Sequence, residues 1–270
     1  MTYLINDVIA DLNTDKITAR QMVENCLVAI DDPDGEGQSA FISTYHDRAR
    51  QQADTIDHAR RQGWALPKFA GIPLSVKDLF DEAGVVTTAG SIVLKDAAPA
   101  SKDAIVVARL KAAGFIVIGR TNMTEFAFSG LGTNVHYGTP RSPFERNPKN
   151  PEIGRVAGGS SSGSAVSISD QMAAATIGSD TGGSTRAPAA FCGIVGFKPT
   201  TDRMPGLGIF PLSTSFDAAG PMGTSVDCCA ILDSLMSGNE GNTEPLFPVK
   251  NLRLAIPIGY LFDDLDDHVA

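Results

Sequence analysis

Two strand-like segments set the strongest constraint on how this chain can fold. GIPLSVKDLF, Gly71–Phe80, alternates apolar and polar residues in the manner of a strand. FIVIGR, Phe115–Arg120, is a second, short and buried strand. Between them a helix is expected through Ala113, with Ser101 as its cap and Gly114 as its stop. Strand, helix, strand in that order argues for a sheet with helices on its faces, an α/β fold. With 270 residues, 43% of them hydrophobic, the chain has ample material for the core of such a fold.

The remaining segments arrange themselves around that unit. Tyr3–Leu12 and Ile17–Ile30 carry apolar residues at helical spacing and read as an N-terminal helical pair, with Thr18 or Asp15 capping the second. Ala40–Tyr45 reads as a strand and His46–Gln62 as a polar, amphipathic helix. Later strands are expected at Ala173–Gly178, at VGFKP (Val195–Pro199) and at LRLAIP (Leu252–Pro257). A short helix should end at Phe191, and SVDCCAILDSLMSG should form another, capped by Ser225 and stopped by Gly238. Gly130–Arg155 and Thr200–Gly223 hold no sustained period and read as irregular. No internal repeat is visible. The last residues, DDLDDHVA, suit a helix N-terminus, so the chain reads either as a piece of a longer protein or as one with a frayed tail.

Charge and cysteine usage narrow the setting. A net charge of −9 and a pI of about 4.9 suit neither nucleic acid nor an anionic membrane as a direct partner. A small polar or neutral substrate fits better. The four cysteines, Cys26, Cys192, Cys228 and Cys229, form no CxxC pair, which points to a reduced, cytoplasmic compartment. MTYLINDVIADLNTD has no basic n-region, and no run approaches the ~18 apolar residues of a membrane span.

The chemistry must come from a serine-rich region. VAGGSSSGSAVSIS, Val156–Ser169, has the composition of a linker, but Ala165, Val166 and Ile168 are not what a linker needs. Its GxxxxG spacing lacks the lysine of a phosphate loop. GSSSG matches the GxSxG nucleophile elbow, yet no convincing strand leads in, and the only later histidine is His268. His46 and His58 sit on a polar helix, His136 in a loop, and no histidine pair has metal-ligand spacing, so a zinc site is not expected. Cys192 lies in apolar AAFCGIVG, where a thiol is inert. In SDTGGSTRAP, two glycines precede Ser184, and successive N–H groups can converge there on a developing oxyanion. A plain glycine turn with a serine cap would look the same. Such a serine needs a base, and with histidine unsupported that base is a neutral lysine. Lys77 and Lys198 both lie in apolar settings, and composition does not choose between them.

Together the motifs resemble the amidase signature family: FAGIPLSVKDLF, GRTNMTEFAFSG, GGSSSGSA, GSDTGGSTRAPAAFCGIVGFKPT and SFDAAGPM, in that order. The resemblance implies a mixed β-sheet between α-helices, with residues 1–65 as a helical region packed on a core of residues 66–270. The family's C-terminal portion is expected to be missing. It implies amide hydrolysis without a cofactor through a Ser–Ser–Lys triad matching Ser184 (nucleophile), Ser160 (after a cis bond from Gly159) and Lys77 (base). Lys198 matches a position with no catalytic role. The N–H groups of Thr181, Gly182, Gly183 and Ser184 match the oxyanion hole, and Asp180 and Arg186 match its braces. Ser161 matches a supporting hydroxyl, and Ala127, Phe128 and Ser129 match an acyl-pocket segment.

The implied partner is a small-molecule amide, with a homodimer as the candidate assembly. A second implied reading is the glutaminase component of a glutamyl-tRNA amidotransferase, its A chain, although TTDRMPGLGIFPLSTSFD does not carry the YGRVSR-like sequence common there. The reading from another class is an inactive fragment or scaffold that keeps the motifs. Ser162 stands where many members have glycine, and Met222-Gly223-Thr224 lacks a basic residue often found after GP.

Overall fold

The computed structural model describes residues 3–147, 150, 154–241, 250, 252–256, 258–259 and 262–267. Six strands form one mixed sheet in the order β1-β3-β2-β4-β6-β5. They are β1 (Phe41–Thr44), β2 (Pro73–Lys77), β3 (Ile116–Thr121), β4 (Ala175–Asp180), β5 (Val195–Gly196) and β6 (Ala218–Gly223). β2 runs parallel to both β3 and β4, and the other pairs are antiparallel. Every residue of β2, β3, β4 and β6 is buried, as expected of strands covered on both faces.

Eight helices are present among the described residues: α1 (Ile5–Asn13), α2 (Ala19–Asp31), α3 (Gly37–Ala40), α4 (His46–Arg61), α5 (Ile105–Ala112), α6 (Ser162–Ser169), α7 (Arg186–Cys192) and α8 (Val226–Ser237). Local chemistry explains several boundaries. Thr18 and Gln21 form a reciprocal capping box at the start of α2. Ser225 accepts from the Cys228 N–H at 3.1 Å, and Gly238 ends α8 with φ 100°. None of these helices is long and apolar enough to cross a membrane.

Helix α6 explains the linker-like composition. Ser162 to Ile168 are all buried, and the helix packs on β2, β3, β4 and β6. A Cβ on Gly163 would come within 2.2 Å of the Ala40 carbonyl oxygen, so this approach requires glycine. Two of the buried serines find partners in the sheet: Ser167 Oγ with Ser75 Oγ at 2.8 Å, and Ser164 Oγ with Thr121 Oγ1 at 2.7 Å. Small size permits contact, and the hydroxyls satisfy one another once water is gone.

Four segments depart from the sequence reading. Helix α5 starts at Ile105, and Ser101 does not cap it; the Ala104 and Ile105 N–H groups donate instead to the carbonyls of Asp81 and Leu207. Tertiary acceptors have replaced a side-chain cap. Ala218–Gly223, read as irregular, is the inner strand β6 beside β4. Its AAGPMG composition disfavours a strand, but the close packing needs small residues: a Cβ on Gly220 would meet the Phe197 carbonyl oxygen at 2.5 Å. VGFKP yields only two strand residues, Val195 and Gly196. Residues 252–256 of LRLAIP are not a strand, and Leu254 is 90% exposed. Pro257 and His268 lie outside the described residues, and the acidic run before His268 forms no α-helix through Asp267.

Candidate active site

Strands β2 and β4 are parallel neighbours, so their C-terminal ends open on the same edge of the sheet, the edge where α/β folds place ligands. Lys77 is the last residue of β2 and Asp180 the last of β4. Lys77 is fully buried, and its Nζ donates to Ser160 Oγ and to Ser179 Oγ, each at 2.8 Å. Asp78, its neighbour in sequence, is committed elsewhere: its carboxylate takes Arg120 Nε at 3.0 Å, the Gly90 N–H at 3.2 Å and the Thr88 hydroxyl. Burial therefore pushes the Lys77 ammonium down from 10.5 to about 7, against the opposing charges of Asp180 and Asp217.

Ser160 follows a cis peptide bond from Gly159 and is wholly buried at the mouth of α6. Its carbonyl accepts from the Thr124 N–H at 3.1 Å, which ties it to the Glu125–Ala127 turn. In that turn Phe126 and Ala127 adopt φ 52° and 60°, a left-handed conformation costing about 1–3 kcal/mol per residue.

Ser184 retains 8% exposure, and its carbonyl accepts from the Ser161 N–H at 3.2 Å. Among the described residues nothing hydrogen-bonds the Ser184 hydroxyl. The Lys77–Ser160 contact is thus formed, and a direct Ser160–Ser184 hydroxyl contact is not. Hydrogen bonds of this kind commonly tighten only around a bound substrate.

Asp180 organises the turn that carries Ser184. Its buried carboxylate accepts from the Gly183 N–H at 2.8 Å, the Thr185 N–H at 3.1 Å and the Thr185 hydroxyl at 2.8 Å. Arg186 adds Nε at 3.0 Å and Nη2 at 2.9 Å. Burial opposes ionisation of Asp180, but bonds from Arg186, Thr185 and Gly183 outweigh it and hold the carboxyl well below the usual range. The Gly183 N–H is therefore occupied. The N–H groups of Thr181, Gly182 and Ser184 donate to no acceptor among the described residues. The turn thus leaves three N–H groups without an acceptor among the described residues, where four were expected to point at an oxyanion.

The other expected residues divide. Ser161 is buried, with its hydroxyl 3.3 Å from the Ser179 carbonyl oxygen. Ala127 lines a pocket of about 180 Å³ together with Leu79, Ser179, Thr181, Met204 and Asp217. Phe128 does not line it and is 81% exposed; Ser129 accepts from the Leu131 N–H at 3.1 Å. Lys198 is half-buried and donates to the Pro199 carbonyl at 3.2 Å. Cys192 is buried, and its thiol is pushed up to about 12. His46 pairs with Asp31 and His136 with Glu125. Sequence reasoning missed two groups, Ser179 and Asp217. The hydroxyl and carboxylate were visible in GSDTGGS and SFDAAGPM, but their meaning depends on which strand lies beside which.

The family model for Amidase matches residues 21–259. This chain belongs to the amidase family. It is 40% identical over 242 residues to AtzE, a component of the 1-carboxybiuret hydrolase of Pseudomonas sp. (strain ADP), covering 90% of this chain and 50% of that protein. It is 36% identical over 265 residues to the A chain of the glutamyl-tRNA(Gln) amidotransferase of Koribacter versatilis, covering 93% of this chain and 53% of that one. The native peptide amidase of Stenotrophomonas maltophilia superposes with a TM-score of 0.76 at 34% identity, over 87% of this chain and 47% of the other. The chain spans about half the length of the curated relatives it matches.

Proposed function

We propose that the chain carries the acyl-transfer site of an amide hydrolase. The observation that carries this reading is Lys77: a fully buried lysine without a carboxylate contact, its proton affinity lowered to about 7, held between two serine hydroxyls. A lysine in that state serves as a base near neutral pH. Ser184 Oγ attacks the amide carbonyl carbon, and a new C–O bond forms. The Ser184 proton passes to Ser160 as Ser160 passes its own to Lys77. The carbonyl oxygen, now negative, is held by the N–H groups of Thr181, Gly182 and Ser184. The C–N bond then breaks, and Lys77 returns the proton through Ser160 to the leaving amine. Water cleaves the acyl ester on Ser184 by the same route. Asp180 and Arg186 brace the oxyanion turn, Ser161 supports it, and Ala127 lines the acyl pocket.

We extend the proposal to the assembly: residues 1–65 pack as a helical region on the 66–270 core, and the intact protein works in the cytoplasm on a small amide, with a homodimer as the candidate state. Contacts such as the Ile5 N–H to Cys228 Sγ at 3.4 Å support that packing. A fluorophosphonate probe tests the chemistry. Label mapped to Ser184 is the expected result, and a folded, intact protein that takes no label would remove the reading. A second reading, favoured by the similarity to amidotransferase A chains, is ammonia release from glutamine. Glutaminase activity that arises only when partner proteins are added would select it over hydrolysis of other amides.

A further inference from the structure

Asp217 immediately precedes β6, and the β4–β6 register pairs Ala218 with Asp180. This places its half-buried carboxylate beside the oxyanion turn. Thr181 Oγ1 donates to one oxygen at 2.5 Å, and the Leu212 and Ser213 N–H groups donate to the other at 2.8 and 2.9 Å. Thr181 supplies an oxyanion N–H, and Leu212 lines the pocket that Thr181 and Asp217 also line. One side chain thus joins the oxyanion turn to the pocket wall.

We propose that Asp217 is a positioning residue for acyl transfer: it fixes the oxyanion turn through Thr181 and the pocket wall through Leu212 and Ser213, and it biases the protonation of the base. This rests on the assignment of Ser184 as nucleophile and Lys77 as base. The electrostatic part follows from pairing. The other buried carboxylates around Lys77 have guanidinium partners, Asp180 with Arg186 at 2.9 Å and Asp78 with Arg120 at 3.0 Å. Asp217 is held by three neutral donors and has no cationic partner among the described residues. Asp202 lines the same pocket but is exposed, where water screens it. The charges of Asp180 and, after it, Asp217 favour the protonated lysine, and of the two only Asp217 is without a guanidinium partner among the described residues.

The rate of Ser184 labelling by a fluorophosphonate, measured from pH 5 to 10 in the intact protein, separates the two effects. Asp217→Asn retains three contacts, since its carboxamide oxygen accepts from the two N–H groups and its NH2 donates to Thr181 Oγ1. It removes only the charge. Its acid limb should move to lower pH by roughly 0.5–1 unit, so the rate at pH 6 relative to the plateau rises about three- to fivefold. Thr181→Val cuts the link to the turn and keeps the charge. It should lower the plateau about tenfold, part of the ~10²–10³ that a lost oxyanion donor costs, with the limb in place. An unmoved limb in Asp217→Asn, or an unchanged plateau in Thr181→Val, overturns the proposal while the amidase reading stands. A wild-type protein that takes no label overturns the amidase reading and this inference with it.

Discussion

Lys77 and Lys198 share a residue type and an apolar local sequence, PLSVKDLF against GFKPT, yet the fold gives them opposite environments. Lys77 ends a central strand beneath the buried serines of two other segments and has no exposed surface. Lys198 follows a two-residue edge strand, is half-buried and donates to the carbonyl of its own neighbour. The lowered proton affinity of Lys77 follows from strand order: a central strand covered by helices keeps water from its ammonium. The same contrast separates Ser160, hydrogen-bonded to the lysine, from Ser164 and Ser167 of its run, whose hydroxyls bond to the sheet.

Truncating each lysine challenges the contrast most directly. Lys77→Ala should reduce Ser184 labelling at pH 8 by about 10³-fold, within the range for a lost general base. Lys198→Ala should change it less than about twofold. Equal losses in two folded variants would dissolve the distinction.

The next test uses stability. The Lys77 pKa falls from 10.5 to about 7 on folding. Between those values the unfolded chain binds more protons than the folded one, so the contribution of Lys77 to stability rises with pH through that window, and below pH 7 the full penalty is present. Lys77→Met should therefore stabilise the fold at pH 7 by a few kcal/mol, on the order expected for such a shift, and the gain should shrink toward pH 10.5. Denaturant melts of the variant and the wild type across that range check it, and a pH-independent Lys77→Met effect would count against a neutral buried lysine.

Wild-type labelling should fall about tenfold per pH unit below 7, because only the neutral lysine accepts a proton. The same limb should persist in Lys198→Ala, and its disappearance there would assign the titration to the wrong residue. A smaller effect is expected from Ser179→Ala, which removes one of the two hydroxyl partners of Lys77. A loss of about 1 kcal/mol, near fivefold in rate, matches one neutral hydrogen bond. A change as large as that of Lys77→Ala would give Ser179 a part in the proton relay itself.

Much of the fold was legible because local rules carried it. Thr18, Ser225 and Gly238 are terminal signals that act within a few residues, and they behave as read. β3 was legible because a fully buried strand is an apolar run, and β2 because its residues alternate, although all five are buried. Strand β6 was not, because AAGPMG is shaped by what it packs against; Gly220 has no room for a side chain beside Phe197. Ser101 failed as a cap because the carbonyls of Asp81 and Leu207, distant in sequence, reached the helix start first. In the site, Lys77, Ser160 and Ser184 were named from motifs. Ser179 and Asp217 were missed because their roles come from the β2–β4 and β4–β6 neighbours, which no local pattern encodes.

Periodicity, caps and motif order are written along the chain, and they suffice for most of the elements, the family and the residue types gathered at the strand ends. Which lysine is dry, which N–H groups of the glycine turn are free and which carboxylate lacks a cation are matters of tertiary structure alone. They depend on desolvation and on partners 83 to 102 residues apart in sequence, as in the bonds from Lys77 to Ser160 and Ser179. They exist only once the sheet has closed over them.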